Sequence, residues 1–132
     1  MARVQLALNV ADLDTAIDFY SRLFDTAPAK VQPGYANFAI ADPPLKLVLF
    51  ESVDAPGTLN HLGVEVASTE EVAAANHRLT EQGVETATED QVDCCFALQD
   101  KAWIEAPDRE RWEIYTVLED TQPTADAAAC CT

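Results

Sequence analysis

The feature that most constrains the fold of this chain is an internal echo. Gln5-Leu-Ala-Leu-Asn-Val recurs as His61-Leu-Gly-Val-Glu-Val, an offset of 56 residues from position 5 to position 61. Each copy alternates apolar and non-apolar positions as a half-buried strand does. Leu6, Leu8 and Val10 share one face, as do Leu62, Val64 and Val66. Gln5, Ala7 and Asn9 take the other face, with His61, Gly63 and Glu65 in the equivalent places.

A helical pattern follows each strand. Ala16, Ile17, Tyr20, Leu23 and Phe24 form one apolar stripe over Leu13 to Phe24, with Asp12 as N-cap. The second helix runs from Thr69 to about Gln82 behind Ser68, with Glu71 completing a capping box and Gly83 as the stop. Extended stretches are expected at Ala29–Val31, Tyr35–Ala39 and Leu45–Phe50. Their counterparts are Glu85–Ala87, Cys95–Leu98 with Trp103–Glu105, and Trp112–Val117.

Each half is thus a βαβββ module of roughly 55 residues, too small to bury its sheet alone. The expectation is an α+β fold in which two modules, about 1–55 and 56–118, form one curved mixed sheet around a metal-binding cavity. A single domain over residues 1–118 suits a chain of 132 residues with 48% hydrophobic content. From Glu119 the periodicity is lost, and 119–132 is expected to be a flexible acidic tail ending in Cys130 and Cys131.

Charge excludes one class of partner. With 23 acidic against 8 basic residues the net charge is −15, which repels a phosphate backbone, so nucleic acid is not expected. The start MARVQLALNVADLD has one basic residue and no signal-peptide core, and no stretch reaches the ~20 apolar residues of a membrane span. A cytoplasmic location and no membrane partner are the expectations.

Two groups of residues carry chemistry. All four cysteines fall in two vicinal doublets, Cys94-Cys95 and Cys130-Cys131. Adjacent thiols form a poor structural disulfide and a good chelate for a soft ion such as Cd(II) or As(III). The second group follows from the repeat. Equivalent strands carry Gln5 and His61 on their more polar faces, and in RWEIYTV Glu113 and Tyr115 lie opposite Trp112 and Ile114. Gln5, His61 and Glu113 are therefore the candidate metal ligands, an amide, an imidazole and a carboxylate suited to Fe(II), Mn(II), Ni(II), Co(II) or Zn(II). Of the aromatics Tyr35, Phe38, Phe96, Trp103, Trp112 and Tyr115, those on the side of Glu113 are candidate cavity residues and Tyr115 is the best of them; Lys101 is the basic group nearest the first doublet in sequence.

Paired modules carrying Gln5, His61 and Glu113 resemble the vicinal oxygen chelate superfamily, which includes glyoxalase I, extradiol dioxygenases and bleomycin-resistance proteins. Within it, VQLALNV, DFYSRLF, PGYANFAIADPPLKLVLFE, LNHLGVEV, CCFALQDKAWI and RWEIYTV resemble cadmium-induced proteins and organoarsenical carbon–arsenic lyases. The resemblance implies an Fe(II)-dependent, dioxygen-using enzyme that demethylates or dearylates trivalent organoarsenicals to arsenite. Gln5, His61 and Glu113 would then be catalytic as iron ligands, and Cys94 and Cys95 would capture arsenic as a dithiolate. Some lyases of the group carry His at the place of Gln5, and Gln, His and Glu together also resemble glyoxalase-type Lewis-acid sites. Two other functions fit the same residues: a non-catalytic cadmium- or arsenite-binding protein, and a glyoxalase-like metalloenzyme. Relatives of this architecture also pair between chains, so a homodimer is consistent with it.

Overall fold

A computed structural model describes residues 2–94 and 96–120, with the side chain of Cys94 outside the description. The fold is of the mixed α+β class, with eight strands and two helices among the described residues. The chain divides into two compact units, Arg3–Asn60 and a second that begins at His61.

The first unit holds β1 (Arg3–Val10), α1 (Leu13–Phe24), β2 (Lys30–Gln32), β3 (Tyr35–Ile40) and β4 (Leu45–Glu51). Its strands run in the order β2-β3-β4-β1, with β1 parallel to β4 and the other pairs antiparallel. The β3–β4 register sets Ala36 opposite Leu49, Phe38 opposite Leu47 and Ile40 opposite Leu45. Leu13, Ala36, Phe38, Ile40, Leu47 and Leu49 make an apolar core, against which Leu6, Leu8, Val10, Ala16, Ile17, Tyr20, Phe24 and Leu45 pack. The alternation of β1 and most of the α1 stripe are thereby accounted for. Leu23 departs from the expected stripe and is 57% exposed. The contacts close through positions 13, 16, 17, 20 and 24, a set spaced at three and four residues, and Leu23 lies beyond its rim.

Asp12 caps α1 by accepting from the Thr15 amide at 2.9 Å. Its carboxyl is held below the ordinary range by that backbone hydrogen bond and by the Thr15 side chain. The helix ends at Asp25 in the left-handed region, φ 49°.

The second unit carries β5 (Leu59–Glu65), α2 (Thr69–Glu81), β6 (Ala87–Cys94), β7 (Ala97–Glu105) and β8 (Arg111–Asp120), the first two residues of β5 preceding its boundary. Its strand order is β5-β8-β7-β6, with β5 parallel to β8. Ser68 caps α2, and the Glu71 carboxylate reaches back to the Ala67 amide at 2.7 Å, one residue before the cap. Gly83 follows the helix at φ 81°, a conformation that favours glycine.

Two strands differ from their expected course. β6 runs over Ala87–Cys94 rather than Glu85–Ala87. Its sequence ATEDQVDC has little β propensity, and antiparallel pairing with β7 at the sheet edge holds it extended. β7 is continuous through Gln99-Asp100-Lys101 instead of breaking there, because Asp100 and Lys101, both buried, each find hydrogen-bond partners. β8 reaches Asp120, and the remainder of the expected tail, residues 121–132, lies outside the described residues.

Candidate metal centre

The site is built by register. The parallel β5–β8 ladder places Gly63 opposite Glu113, so His61, two residues earlier on β5, rises on the same face as the carboxylate. The antiparallel β7–β8 ladder places Trp103 opposite Glu113 and Lys101 opposite Tyr115. The alternate residues Ala102 and Asp100 point to the other face, where Asp100 accepts from the Thr69 hydroxyl at the start of α2. One face of this sheet thus carries the helix, and the other gathers His61, Glu113, Lys101, Trp103 and Tyr115.

Their geometry is tight and buried. His61 Nε2 lies 2.8 Å from Glu113 Oε2, and Lys101 Nζ donates to Glu113 Oε1 at 3.1 Å. His61 is 2% exposed, Glu113 3% and Lys101 1%. Burial alone pushes the Glu113 carboxyl up. The hydrogen bond from His61 and the positive charge of Lys101 more than offset this, leaving it below the ordinary carboxylate range. It is a carboxylate at neutral pH.

Trp103 organises the rim. Its ring meets His61 edge-on at 5.5 Å, Arg111 lies over it at 4.2 Å, and Lys101 Nζ lies 5.3 Å from its centroid. Its indole N–H is held by Glu89 Oε1 at 2.7 Å. Beside it a polar pocket of about 340 Å³ is lined by Glu85, Thr86, Ala87, Ile104, Glu105 and Arg111 as well as Trp103 itself. Tyr115, 1% exposed, completes the enclosure 5.9 Å from Lys101 Nζ.

Of the residues singled out in the sequence, the structure brings together His61, Glu113, Lys101 and Tyr115. Gln5 belongs to the first unit, where it is 5% exposed on β1 opposite Lys46. Cys94 is the last residue of β6, opposite Ala97, and Cys95, Cys130 and Cys131 lie outside the described residues. Arg111 and Glu89 were not anticipated as parts of a site. The signal for Trp103 was present: read as one strand, Gln99-Asp100-Lys101-Ala102-Trp103 alternates so that Lys101 and Trp103 share a face.

The donor chemistry suits a divalent cation. A buried imidazole nitrogen and a buried, ionised carboxylate face each other, a pair of borderline and hard donors. Among the described residues no cluster of three His, Cys, Asp or Glu side chains occurs.

Comparison with known proteins now decides the family. The family model of the Glyoxalase/Bleomycin resistance protein/Dioxygenase superfamily matches residues 3–114. The chain belongs to this superfamily. Within it the chain is 64% identical over 122 residues to the cadmium-induced protein CadI of Mycobacterium tuberculosis, covering 92% of this chain and 80% of that one. It is 56% identical over 135 residues to the trivalent organoarsenical cleaving enzyme of Thermomonospora curvata, covering 100% of this chain and 89% of that one. It therefore belongs to the group of the superfamily that contains both. In fold it is similar to the Mn(II)-bound glyoxalase of Novosphingobium aromaticivorans, with a TM-score of 0.62 and 16% identity over 94% of this chain and 43% of that one. Among the described residues, no helix is long and apolar enough to cross a membrane.

Proposed function

We propose that this protein is a metal-dependent carbon–arsenic lyase, which cleaves trivalent organoarsenicals to arsenite with Fe(II) and dioxygen. The observation that carries the reading is the buried His61–Glu113 pair, found in a chain that matches an organoarsenical cleaving enzyme along its whole length. His61 and Glu113 are two of the ligands. Gln5 is the third, a role that rests on its equivalence to His61 in the repeat. Fe(II) fits this set, as would Mn(II), Co(II), Ni(II) or Zn(II), and when bound it supplies the electrons that activate dioxygen.

The protein's own groups do the rest. Cys94 and Cys95 capture the arsenic, each thiol displacing one hydroxyl as water, and so orient the carbon–arsenic bond. Glu113 is already ionised, and no proton has to leave it before it ligates. Trp103 sets its ring edge-on to His61, and buried Tyr115 stands beside Lys101. That surrounding excludes water from the reacting centre and strengthens its electrostatics. A cytoplasmic place, where thiols stay reduced, belongs to the same reading.

The test is anaerobic Fe(II) loading followed by dioxygen and methylarsonous acid, with arsenic species separated and quantified. Arsenite that needs both iron and dioxygen, and that is lost in Cys94→Ser/Cys95→Ser and in Glu113→Ala, is the expected result. Normal turnover by the double serine variant would sink thiol capture. One observation favours a second reading, sequestration of cadmium or arsenite: the 64% identity to a protein named for cadmium induction. Stoichiometric cadmium binding that survives Glu113→Ala, with no arsenite formed by the wild type, would put that reading first.

A further inference from the structure

The two oxygens of Glu113 have separate partners. Oε2 faces His61 Nε2 at 2.8 Å, and Oε1 accepts from Lys101 Nζ at 3.1 Å. We infer that Lys101 is a positioning residue that confines Glu113 to one coordinating oxygen and weakens the hold of the site on its metal. The inference rests on the proposal that His61 and Glu113 ligate a divalent cation.

Register and burial both support it. Lys101 lies directly opposite Tyr115 on the β7–β8 ladder, so its side chain reaches Glu113 along the diagonal, two residues before Tyr115 on β8. The ammonium is boxed between the Trp103 ring at 5.3 Å and the Tyr115 ring at 5.9 Å. At 1% exposure it cannot exchange Glu113 for water, and a buried lysine that lost its carboxylate would stand uncompensated. The contact with Oε1 is therefore set by strand pairing rather than by a mobile surface arm.

Two consequences follow for a divalent cation. A carboxylate free at both oxygens can ligate through both, whereas one with Oε1 engaged by an ammonium offers Oε2 alone and leaves a coordination position open. The ammonium also places a positive charge beside the cation, and that repulsion is large in a buried site. Lys101 thus trades affinity for an open position.

Anaerobic Co(II) titration of the full chain tests this, with affinity from competition against a chelating dye and coordination number from the visible absorption bands. Lys101→Met is expected to bind Co(II) tighter by about tenfold or more, as the repulsion between ammonium and cation is removed. Its bands should weaken as the second oxygen joins. Lys101→Gln keeps an N–H donor for Oε1 but no charge, so it should bind tighter while retaining the wild-type spectrum. Wild-type affinity and spectrum in Lys101→Met would overturn the inference, as would a Lys101→Gln spectrum altered like that of Lys101→Met. Should Lys101→Met fail to fold by circular dichroism, Lys101→Gln decides: unchanged affinity overturns the inference and tighter binding with the wild-type spectrum supports it. Failure of the underlying proposal has a different signature, namely wild-type protein that binds no Co(II) or binding that persists undiminished in His61→Ala.

Discussion

The two units share a strand–helix–three-strand plan and spend it differently. In the first, the strands bury Ala36, Phe38, Ile40, Leu47 and Leu49 beneath α1. In the second, the buried residues include His61, Gln99, Asp100, Lys101, Glu113 and Thr116. An apolar interior is stabilising wherever it is filled, whereas a buried polar one is stable only if each group is satisfied. A duplicated module can thus keep one copy mainly as scaffold, with Gln5 and Asn37 its buried polar residues, while the other takes on most of the groups that would be costly alone.

Truncating the scaffold should produce the largest effect. Phe38 is fully buried at the centre of the first core, opposite Leu47, and Phe38→Ala should cost about 4 kcal/mol in denaturant unfolding. A cost below about 1 kcal/mol, the scale of a surface change, would break the assignment of the first unit as the apolar scaffold.

The next effect belongs to the second unit and depends on pH. Glu113→Gln keeps the shape of the side chain but leaves the Lys101 charge buried without its carboxylate. In the metal-free protein at neutral pH this should cost about 3 kcal/mol. Glu113 has a folded-state pKa below its reference value of 4.5, so its stabilising contribution is present above that value. It is lost as pH falls through the lower folded-state value. The gap between wild type and variant, followed by unfolding at a series of pH values, should therefore close at acid pH. A gap that stays constant would mean that the pair contributes no linkage.

Much of this division was legible in the sequence, and the parts that were not share a cause. The echo of positions 5–10 at 61–66 revealed two modules because strand alternation is written in residue type alone. Glu113 was legible for the same reason, opposite Trp112 in an alternating strand. The course of β6 was not, since ATEDQVDC has no apolar alternation and is extended only because β7 pairs with it. Lys101 stood out in sequence for its nearness to Cys94 and Cys95. Its partnership with Glu113 needed the β7–β8 register, a fact of pairing between strands that no local pattern encodes. Leu23 was misplaced because helical spacing gives the direction of a stripe and not how wide the facing sheet is.

The smallest effect probes how the polar unit holds its edge. A register shift between Glu89 and Val92 puts one extra residue into β6, and Gln91 there adopts φ 51°. Asp100 secures the irregularity: Oδ1 accepts from the Gln91 amide at 2.7 Å while Oδ2 accepts from the Thr69 hydroxyl at 2.6 Å. One buried carboxylate thereby ties the bulge to the first residue of α2. In Asp100→Asn the amide oxygen can keep Gln91, and the new NH2 can donate to a Thr69 hydroxyl turned to accept. Only charge assistance is lost, about 1 kcal/mol. Amide hydrogen exchange at Gln91 should therefore quicken about fivefold in this variant, with the β3 and β4 amides of the first unit unchanged. Unaltered exchange at Gln91 would show that β6 keeps its bulge by pairing alone. Equal acceleration in β3 and β4 would show that the scaffold senses the polar unit's edge and that the division between the units is less complete than their burial suggests.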